Sequence, residues 1–183
     1  MRISALLLAG LLGAAATSAS AAVQVLGNDI AVDCSRAAQA GRADRESILT
    51  CTRALDEESL ARRDRAGTLV NRGIMLTRSR DYGAARADLD KAISLEPRLG
   101  EAWVNRGVVR MADRDYPLAL AEIEQGLAFG VDDPAKAYYN RALAHEGLAD
   151  ARSAYLDYQR ALELDPTWEA PRRQLARFSV RKP

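Results

Sequence analysis

Residues 70–73 read Val-Asn-Arg-Gly, residues 104–107 read Val-Asn-Arg-Gly again, and residues 139–142 read Tyr-Asn-Arg-Ala. The small residue that closes each copy recurs after 34 positions and then after 35. A fixed period of this size is the sequence signature of a solenoid, in which one supersecondary unit is repeated and stacked. The sequence therefore predicts three consecutive units, which span residues 66–99, 100–134 and 135–168.

A second apolar pattern follows each copy at a constant distance. Its spacing gives one apolar face of a helix, and its members are Ala85, Leu89 and Ala92, then Ala119, Ile123 and Gly126, then Ala154, Tyr158 and Ala161. Pro97 and Pro166 follow the first and third of these helices, because proline cannot continue a helix. Each unit is thus predicted to be a helical hairpin in an all-α protein, and stacking makes its core continuous.

This register resembles the tetratricopeptide repeat (TPR) family, whose pattern is W-x2-L-G-x2-Y, then A-x3-F, then A, then P. Trp103 and Tyr138 take the Trp place, and the residue that closes each copy takes the Gly place. Arginine replaces the Leu of the pattern in all three units, at Arg72, Arg106 and Arg141. The resemblance covers about a hundred residues and implies a right-handed solenoid of helical hairpins.

In TPR proteins the first helices of the hairpins line a concave groove that holds a partner peptide or helix. The resemblance places this groove, the predicted partner-binding site, on Val70, Asn71, Ile74, Val104, Asn105, Val108, Lys136, Tyr139, Asn140 and Leu143. The asparagines recur once per unit, and an amide that both donates and accepts can hold a partner's backbone. Two other roles stay open: each amide could bond to the neighbouring hairpin, or the groove could be filled by the protein's own residues 23–30.

Some TPR domains bind a C-terminal carboxylate with a clamp of Lys, Asn and Arg. Here Val70 and Ile74 occupy the places of the first Lys and Asn of that clamp. Asn105 and Lys136 match the clamp, whereas Asn140 replaces its Arg. The sequence therefore favours an apolar or amphipathic segment as the ligand.

The first 22 residues have the features of a secretory signal peptide. Residues 1–2 give a positive start, and the apolar run 3–16 is about 14 residues long, too short for a comfortable membrane span. Residues 19–21 read Ala-Ser-Ala, an A-x-A cleavage site. We predict cleavage near Ala21 or Ala22, a periplasmic or secreted location, and no membrane insertion of the cleaved chain. An uncleaved anchor is the alternative.

The two cysteines belong to a fourth, degenerate hairpin predicted at residues 23–65. If its helices are antiparallel and turn near residues 42–44, Cys34 and Cys51 face each other. A disulfide between them is expected in an oxidising compartment, and two buried free thiols are the alternative. No metal site is expected, because two cysteines and one distant histidine cannot supply four ligands.

The C-terminal stretch 169–183 is predicted to form a capping helix and a tail. Thr167 is the expected N-cap, and the apolar Leu175 and Phe178 are expected on the helix. Such a helix would cover the open end of the stack, as terminal repeats do in solenoids.

Composition and motifs exclude several classes of function. The chain has 26 basic and 25 acidic residues, which argues against a nucleic-acid surface or an anionic-membrane surface. Neither a phosphate-binding glycine loop nor H-E-x-x-H is present. The single histidine, His145, falls on the inward-facing Tyr place of the repeat, where packing explains it. We therefore predict no catalytic residue, no cofactor and no enzyme activity.

The predicted function is that of a non-catalytic protein–protein interaction scaffold or adaptor of the bacterial periplasm or envelope. It would bind a segment of a partner in the concave groove. The alternatives are a self-associating structural solenoid, which would be a homo-oligomer, and a regulatory subunit of an envelope enzyme.

Overall fold

The computed structural model describes residues 2–5, 18–25 and 29–181 of the chain. Within these ranges the chain forms one antiparallel pair of short strands, β1 (Arg2–Ala5) and β2 (Phe178–Arg181), in which Arg2 lies opposite Arg181. It also forms nine helices: α1 (Asp29–Gln39), α2 (Arg45–Glu57), α3 (Arg62–Arg78), α4 (Tyr82–Leu95), α5 (Gly100–Ala112), α6 (Tyr116–Phe129), α7 (Pro134–Gly147), α8 (Ala151–Leu164) and α9 (Glu169–Leu175).

The helices pair in chain order into four hairpins. Helix α1 packs on α2, α3 on α4, α5 on α6, and α7 on α8, while α2, α4 and α6 each pack on the first helix of the next hairpin. Helix α9 packs on α8 at the C-terminal end of the stack. This arrangement confirms the predicted all-α solenoid of helical hairpins.

The small residue that closes each motif lets the two helices of a hairpin approach closely. A Cβ atom added to Gly107 would lie 2.7 Å from Cγ1 of Ile123 and 2.8 Å from the carbonyl oxygen of Ala119. A Cβ atom on Gly73 would lie 3.1 Å from Cγ of Leu89. The contacted residues belong to the predicted apolar face of the second helix, so the repeated pattern is explained by packing between the two helices.

The arginines that replace the Leu of the TPR pattern form ion pairs within their own hairpins. Each one pairs with an acidic residue 16 positions later on the second helix. The pairs are Arg72–Asp88 at 2.7 Å, Arg106–Glu122 at 3.1 Å and Arg141–Asp157 at 2.7 Å. These pairs were not predicted, although the constant spacing of 16 residues is visible in the sequence.

The same arginines also reach the second helix of the preceding hairpin. Nη1 of Arg72 donates a hydrogen bond to the hydroxyl of Thr52 at 3.0 Å. Arg106 pairs with Asp90 at 2.7 Å. In unit three the equivalent contact is the 4.0 Å approach of Arg141 to Glu124. Each arginine therefore joins three helices, which a leucine in the same place could do only by packing.

The turns inside the three repeated hairpins share one backbone conformation. A non-glycine residue with a positive φ is followed by an aspartate whose side chain accepts a hydrogen bond from the start of the second helix. The φ values are 66° at Arg80, 60° at Arg114 and 59° at Ala149. The capping aspartates are Asp81, Asp115 and Asp150. Because this conformation is unfavourable for residues with a Cβ atom, each turn carries local strain.

Replacing Ala149 by glycine is therefore expected to stabilise the protein. Glycine removes the strain of the left-handed conformation in the folded state. This gain in free energy exceeds the entropic cost of ordering glycine, which is more flexible than alanine in the unfolded chain. We expect the free energy of unfolding to rise by about 0.5–1 kcal/mol in urea denaturation. Leu148→Gly is the matched control, because Leu148 has φ −89° and should gain nothing from glycine. Equal destabilisation by both changes would contradict the prediction.

The first hairpin contains the predicted disulfide. Cys34 on α1 and Cys51 on α2 are bonded, with their Cα atoms 4.8 Å apart. Both residues are fully buried, and Sγ of Cys51 lies 3.8 Å from Sδ of Met75 on α3. The disulfide therefore joins the two helices of the hairpin at the face that packs against the first repeated unit.

One helix starts before its predicted repeat unit, and one predicted helix cap is not observed. Helix α3 begins at Arg62, about one turn before the predicted start of unit one at residue 66. Its extra turn is held by Arg65, whose guanidinium donates to the carbonyl oxygen of Leu55 at 2.8 Å. At the other end, Thr167 is not the N-cap of α9: its hydroxyl bonds to Asp165, and α9 begins after Trp168.

The capping helix is also shorter than predicted. Helix α9 ends at Leu175, and Phe178 lies in β2. The Phe178 ring packs against Tyr155 and Tyr158 of α8, with ring centroids 5.7 Å and 6.1 Å away. The C-terminal end of the stack is therefore covered by α9 and, beyond it, by Phe178.

Candidate functional site

The asparagines of the repeated motif bind an extended stretch of the protein's own chain, residues 18–25. Nδ2 of Asn71 donates to the carbonyl oxygen of Val23 at 2.8 Å, and Oδ1 of Asn71 accepts from the Val23 amide at 2.9 Å. Asn140 makes the same pair of hydrogen bonds with Ala19, at 2.5 Å and 2.9 Å. Each of these amides therefore pairs with a backbone in the way a neighbouring strand would.

Asn105 completes the row between the other two asparagines. Its Nδ2 donates to the carbonyl oxygen of Ala21 at 3.1 Å and to that of Glu101 at 2.7 Å. The three asparagines, which we call the asparagine ladder, thus contact residues 19, 21 and 23. This spacing is the two-residue period of an extended chain. Ala19 lies on unit three and Val23 lies on unit one. The segment therefore runs opposite to the order of the units along the chain.

The ladder explains how polar side chains are tolerated in the core of the solenoid. Asn71 and Asn140 are 0% exposed, and Asn105 is 3% exposed. A buried amide without a partner costs about 1–3 kcal/mol. The backbone of residues 18–25 supplies partners to all three amides. Two alternatives to a partner were open: bonds to the neighbouring hairpin, and filling of the groove by the protein's own residues 23–30. The asparagines bond to the protein's own N-terminal segment, which begins before the predicted residue 23.

The N-terminal segment is anchored most firmly at Val23. Besides its two bonds with Asn71, the Val23 carbonyl oxygen accepts from the hydroxyl of Ser35 at 2.8 Å. A Cβ atom on Gly67 of α3 would lie 2.9 Å from Cγ1 of Val23 and 3.1 Å from Cγ2 of Val25. Gly67 therefore provides the space in which these two valine side chains are buried.

Several predicted groove residues lie in the buried clusters that contact this segment. Val70 and Ile74 belong to the same cluster as Val23. Leu143 is partly buried, as Ala19 is, against the C-terminal cluster. Val108 is also buried. The apolar residues predicted beside the asparagines are thus buried rather than part of an exposed surface.

Val104 is a correction to the predicted groove. A Cβ atom on Gly126 of α6 would lie 2.6 Å from Cγ2 of Val104. Val104 also belongs to a buried cluster with Ile123 and Ala137. It packs between helices because the neighbouring Asn105 faces the segment, and consecutive helical residues point in different directions.

Tyr139 is a second correction, since it packs in the C-terminal core. Its ring centroid lies 5.3 Å from that of Tyr158 and 4.9 Å from that of Trp168. Burial raises the pKa of its hydroxyl, which accepts a hydrogen bond from Gln174 at 3.4 Å. Lys136, also predicted for the groove, pairs with Asp133 at 2.7 Å at the start of α7.

His145 lies beside the Arg141–Asp157 pair. Its two ring nitrogens are 3.8 Å from carboxylate oxygens of Asp150 and Asp157. Across the described parts of the chain, no group of three His, Cys, Asp or Glu side chains is arranged to hold a metal ion. In the same residues, no helix combines the length and apolar character needed to cross a bilayer.

The family model of the tetratricopeptide repeat matches residues 66–99 and 135–167. These two segments of the chain match the tetratricopeptide repeat. The two matched segments correspond to α3–α4 and α7–α8, and the TPR-like hairpin α5–α6 lies between them. No curated protein matches the chain.

Solved TPR structures have a similar fold. The first TPR of Spaghetti (RPAP3) bound to the HSP90 peptide SRMEEVD is 23% identical, over 61% of this chain and 88% of that chain, with a TM-score of 0.56. The second TPR domain of human RPAP3 in complex with the HSP70 peptide SGPTIEEVD is 19% identical, over 63% and 96%, with a TM-score of 0.56. MamA 41-end from Desulfovibrio magneticus RS-1 is 26% identical, over 81% and 82%, with a TM-score of 0.58.

Proposed function

We propose that the protein is a non-catalytic interaction scaffold that holds an extended segment of a partner protein on the asparagine ladder. The observation that carries the proposal is the set of bonds from the ladder to the backbone at residues 19, 21 and 23. Hydrogen bonds to the main chain give affinity for any extended segment, while the pockets that receive every second side chain give specificity. Two of the similar TPR structures hold a peptide, which agrees with this role.

The ligand is an uncharged segment with small side chains. Residues 18–25 read Ser-Ala-Ser-Ala-Ala-Val-Gln-Val and carry no charged side chain. The peptides in the RPAP3 structures end instead in the acidic sequence EEVD. Val70 and Ile74, which stand at the places of the first Lys and Asn of the carboxylate clamp, favour the first kind of ligand, because they offer no cation to an acidic tail.

The proposed location is the bacterial periplasm or envelope, where the signal peptide has been removed by cleavage after Ala21. The disulfide of the first hairpin supports an oxidising compartment. Cleavage after Ala21 removes Ala19 and Ala21, which are the partners of Asn140 and Asn105. These two asparagines are then available to a partner, whereas Asn71 keeps its bonds to Val23.

Titration of the chain that begins at Ala22 with a labelled peptide of the sequence of residues 17–21 tests this function. Fluorescence anisotropy should detect saturable binding. Asn140→Ala removes both hydrogen bonds to one peptide residue and should weaken binding about tenfold. Gln125→Ala removes an exposed amide from α6 and is the matched control, which should leave the affinity unchanged. Equal affinities of the two variants would reject the ladder as the binding site.

A further inference from the structure

The N-terminal segment is bound to the asparagine ladder on both sides of the predicted cleavage bond, which joins Ala21 to Ala22. Ala19 and Ala21 are held before the bond, and Val23 is held after it. Hydrolysis of the bond between Ala21 and Ala22 breaks its C–N linkage and adds water. The oxygen of water forms a carboxylate on Ala21, and the amine of Ala22 becomes an ammonium group at neutral pH.

The new N-terminus stays in a fixed place after cleavage. Val23 remains bound by Asn71 through two hydrogen bonds and by the Ser35 hydroxyl through a third. Its side chain is 6% exposed and rests against Gly67. Ala22 is half-buried against two buried clusters, so its ammonium group is held next to the vacated part of the groove.

We propose that the α-ammonium group of Ala22 in the cleaved protein recognises the C-terminal carboxylate of an extended peptide seated on Asn105 and Asn140. A peptide that follows the path of residues 18–21 places its last residue where Ala21 lies. Its carboxylate then meets the ammonium group of Ala22, because the two groups occupy the ends of a former peptide bond. This inference rests on the proposed function, and it specifies which kind of segment the groove takes.

The place of Ala21 also limits the last side chain of the ligand. Ala21 is 1% exposed, and Ser20 is 9% exposed. The ligand is therefore an extended C-terminus whose last and second-last residues are small. Val70 and Ile74 replace the first Lys and Asn of the clamp with which other TPR domains bind a carboxylate, and Lys136, which matches the clamp, is paired with Asp133. The protein's own N-terminus supplies the positive charge instead.

The test compares two forms of the labelled peptide of residues 17–21, the free acid and the C-terminal amide, with the chain that begins at Ala22. We expect the free acid to bind about tenfold more tightly at low salt, from one ion pair at a half-buried site. Acetylation of the Ala22 amine should remove this difference. A chain that begins at Ser18 carries its own occupant and should bind neither peptide.

Each outcome separates this inference from the function on which it rests. Equal binding of acid and amide would overturn carboxylate recognition and leave the ladder as a peptide site. A preference for the acid that survives acetylation would overturn the role of Ala22. Binding of neither peptide would overturn the proposed function together with the inference.

Discussion

Asp157→Ala is expected to lower the free energy of unfolding by about 3 kcal/mol. Asp157 accepts hydrogen bonds from Nε and Nη2 of Arg141 at 2.8 Å and 2.7 Å. These bonds raise the pKa of Arg141. The guanidinium stays charged when its partner is removed, because arginine is not deprotonated in proteins. Its side chain is only 25% exposed, and water cannot fully replace the lost carboxylate. Urea denaturation followed by circular dichroism measures the change.

A double variant separates the cost of leaving the Arg141 charge without a partner from the net contribution of the ion pair to stability. Arg141→Leu with Asp157→Leu removes both charges and restores the Leu of the TPR pattern. Replacing a buried ion pair by apolar residues is often neutral, so we expect stability within about 1 kcal/mol of the natural protein. Arg160→Ala is the control, because it breaks an exposed pair with Glu163 and should leave the free energy of unfolding almost unchanged. An Asp157→Ala variant as stable as this control would contradict the prediction.

Removal of the disulfide is expected to lower the free energy of unfolding by an amount similar to that expected for Asp157→Ala. Cys34 and Cys51 are separated by 17 residues, and closing a loop of this length contributes about 3 kcal/mol in the chain-entropy model. Cys34→Ala with Cys51→Ala should therefore lower the stability of the protein by about this amount. The hairpin should be affected first, since the bond joins α1 to α2. Urea denaturation with and without a reducing agent measures the effect.

The double cysteine variant is also the control for reduction. A reducing agent should destabilise the natural protein and leave the unfolding curve of the variant unchanged. Unfolding curves of the natural protein that coincide in the oxidised and reduced states would contradict the prediction. Ser35 lies next to Cys34 and donates to the Val23 carbonyl oxygen, so loss of the disulfide should also loosen the anchored N-terminal segment.

The sequence alone was sufficient for the features that depend on one unit or on neighbouring units. The 34-residue period located the hairpins, because Gly107 and Ile123 must meet wherever the pattern is repeated. The pairing of Cys34 with Cys51 followed from an antiparallel hairpin and its turn. The recurrence of asparagine also placed the ladder on one line, since equivalent positions of stacked hairpins are aligned.

Features that depend on distant segments were not predictable in this way. Tyr139 stands at a groove position of the repeat, but Trp168 and Tyr158 surround it at the C-terminal end. The occupant of the ladder belongs to a stretch without any period, and main-chain hydrogen bonds do not depend on its side chains. The repeated pattern therefore made Asn71 and its equivalents candidates for contact with a ligand, but it left bonding to the neighbouring hairpin open and could not indicate which chain supplies a ligand.

The asparagine ladder fixes a ratio between the length of the solenoid and the length of its ligand. Each of the three repeated hairpins contributes one amide, and each amide binds one of every two residues of the extended chain. Two residues of a strand span about 7 Å, so the helices advance by that distance from one amide to the next. Inserting one further hairpin with the same motif would lengthen the bound segment by two residues. The number of repeated hairpins thus sets the length of the bound segment. Evolution or design can change that length without changing the chemistry of any single contact.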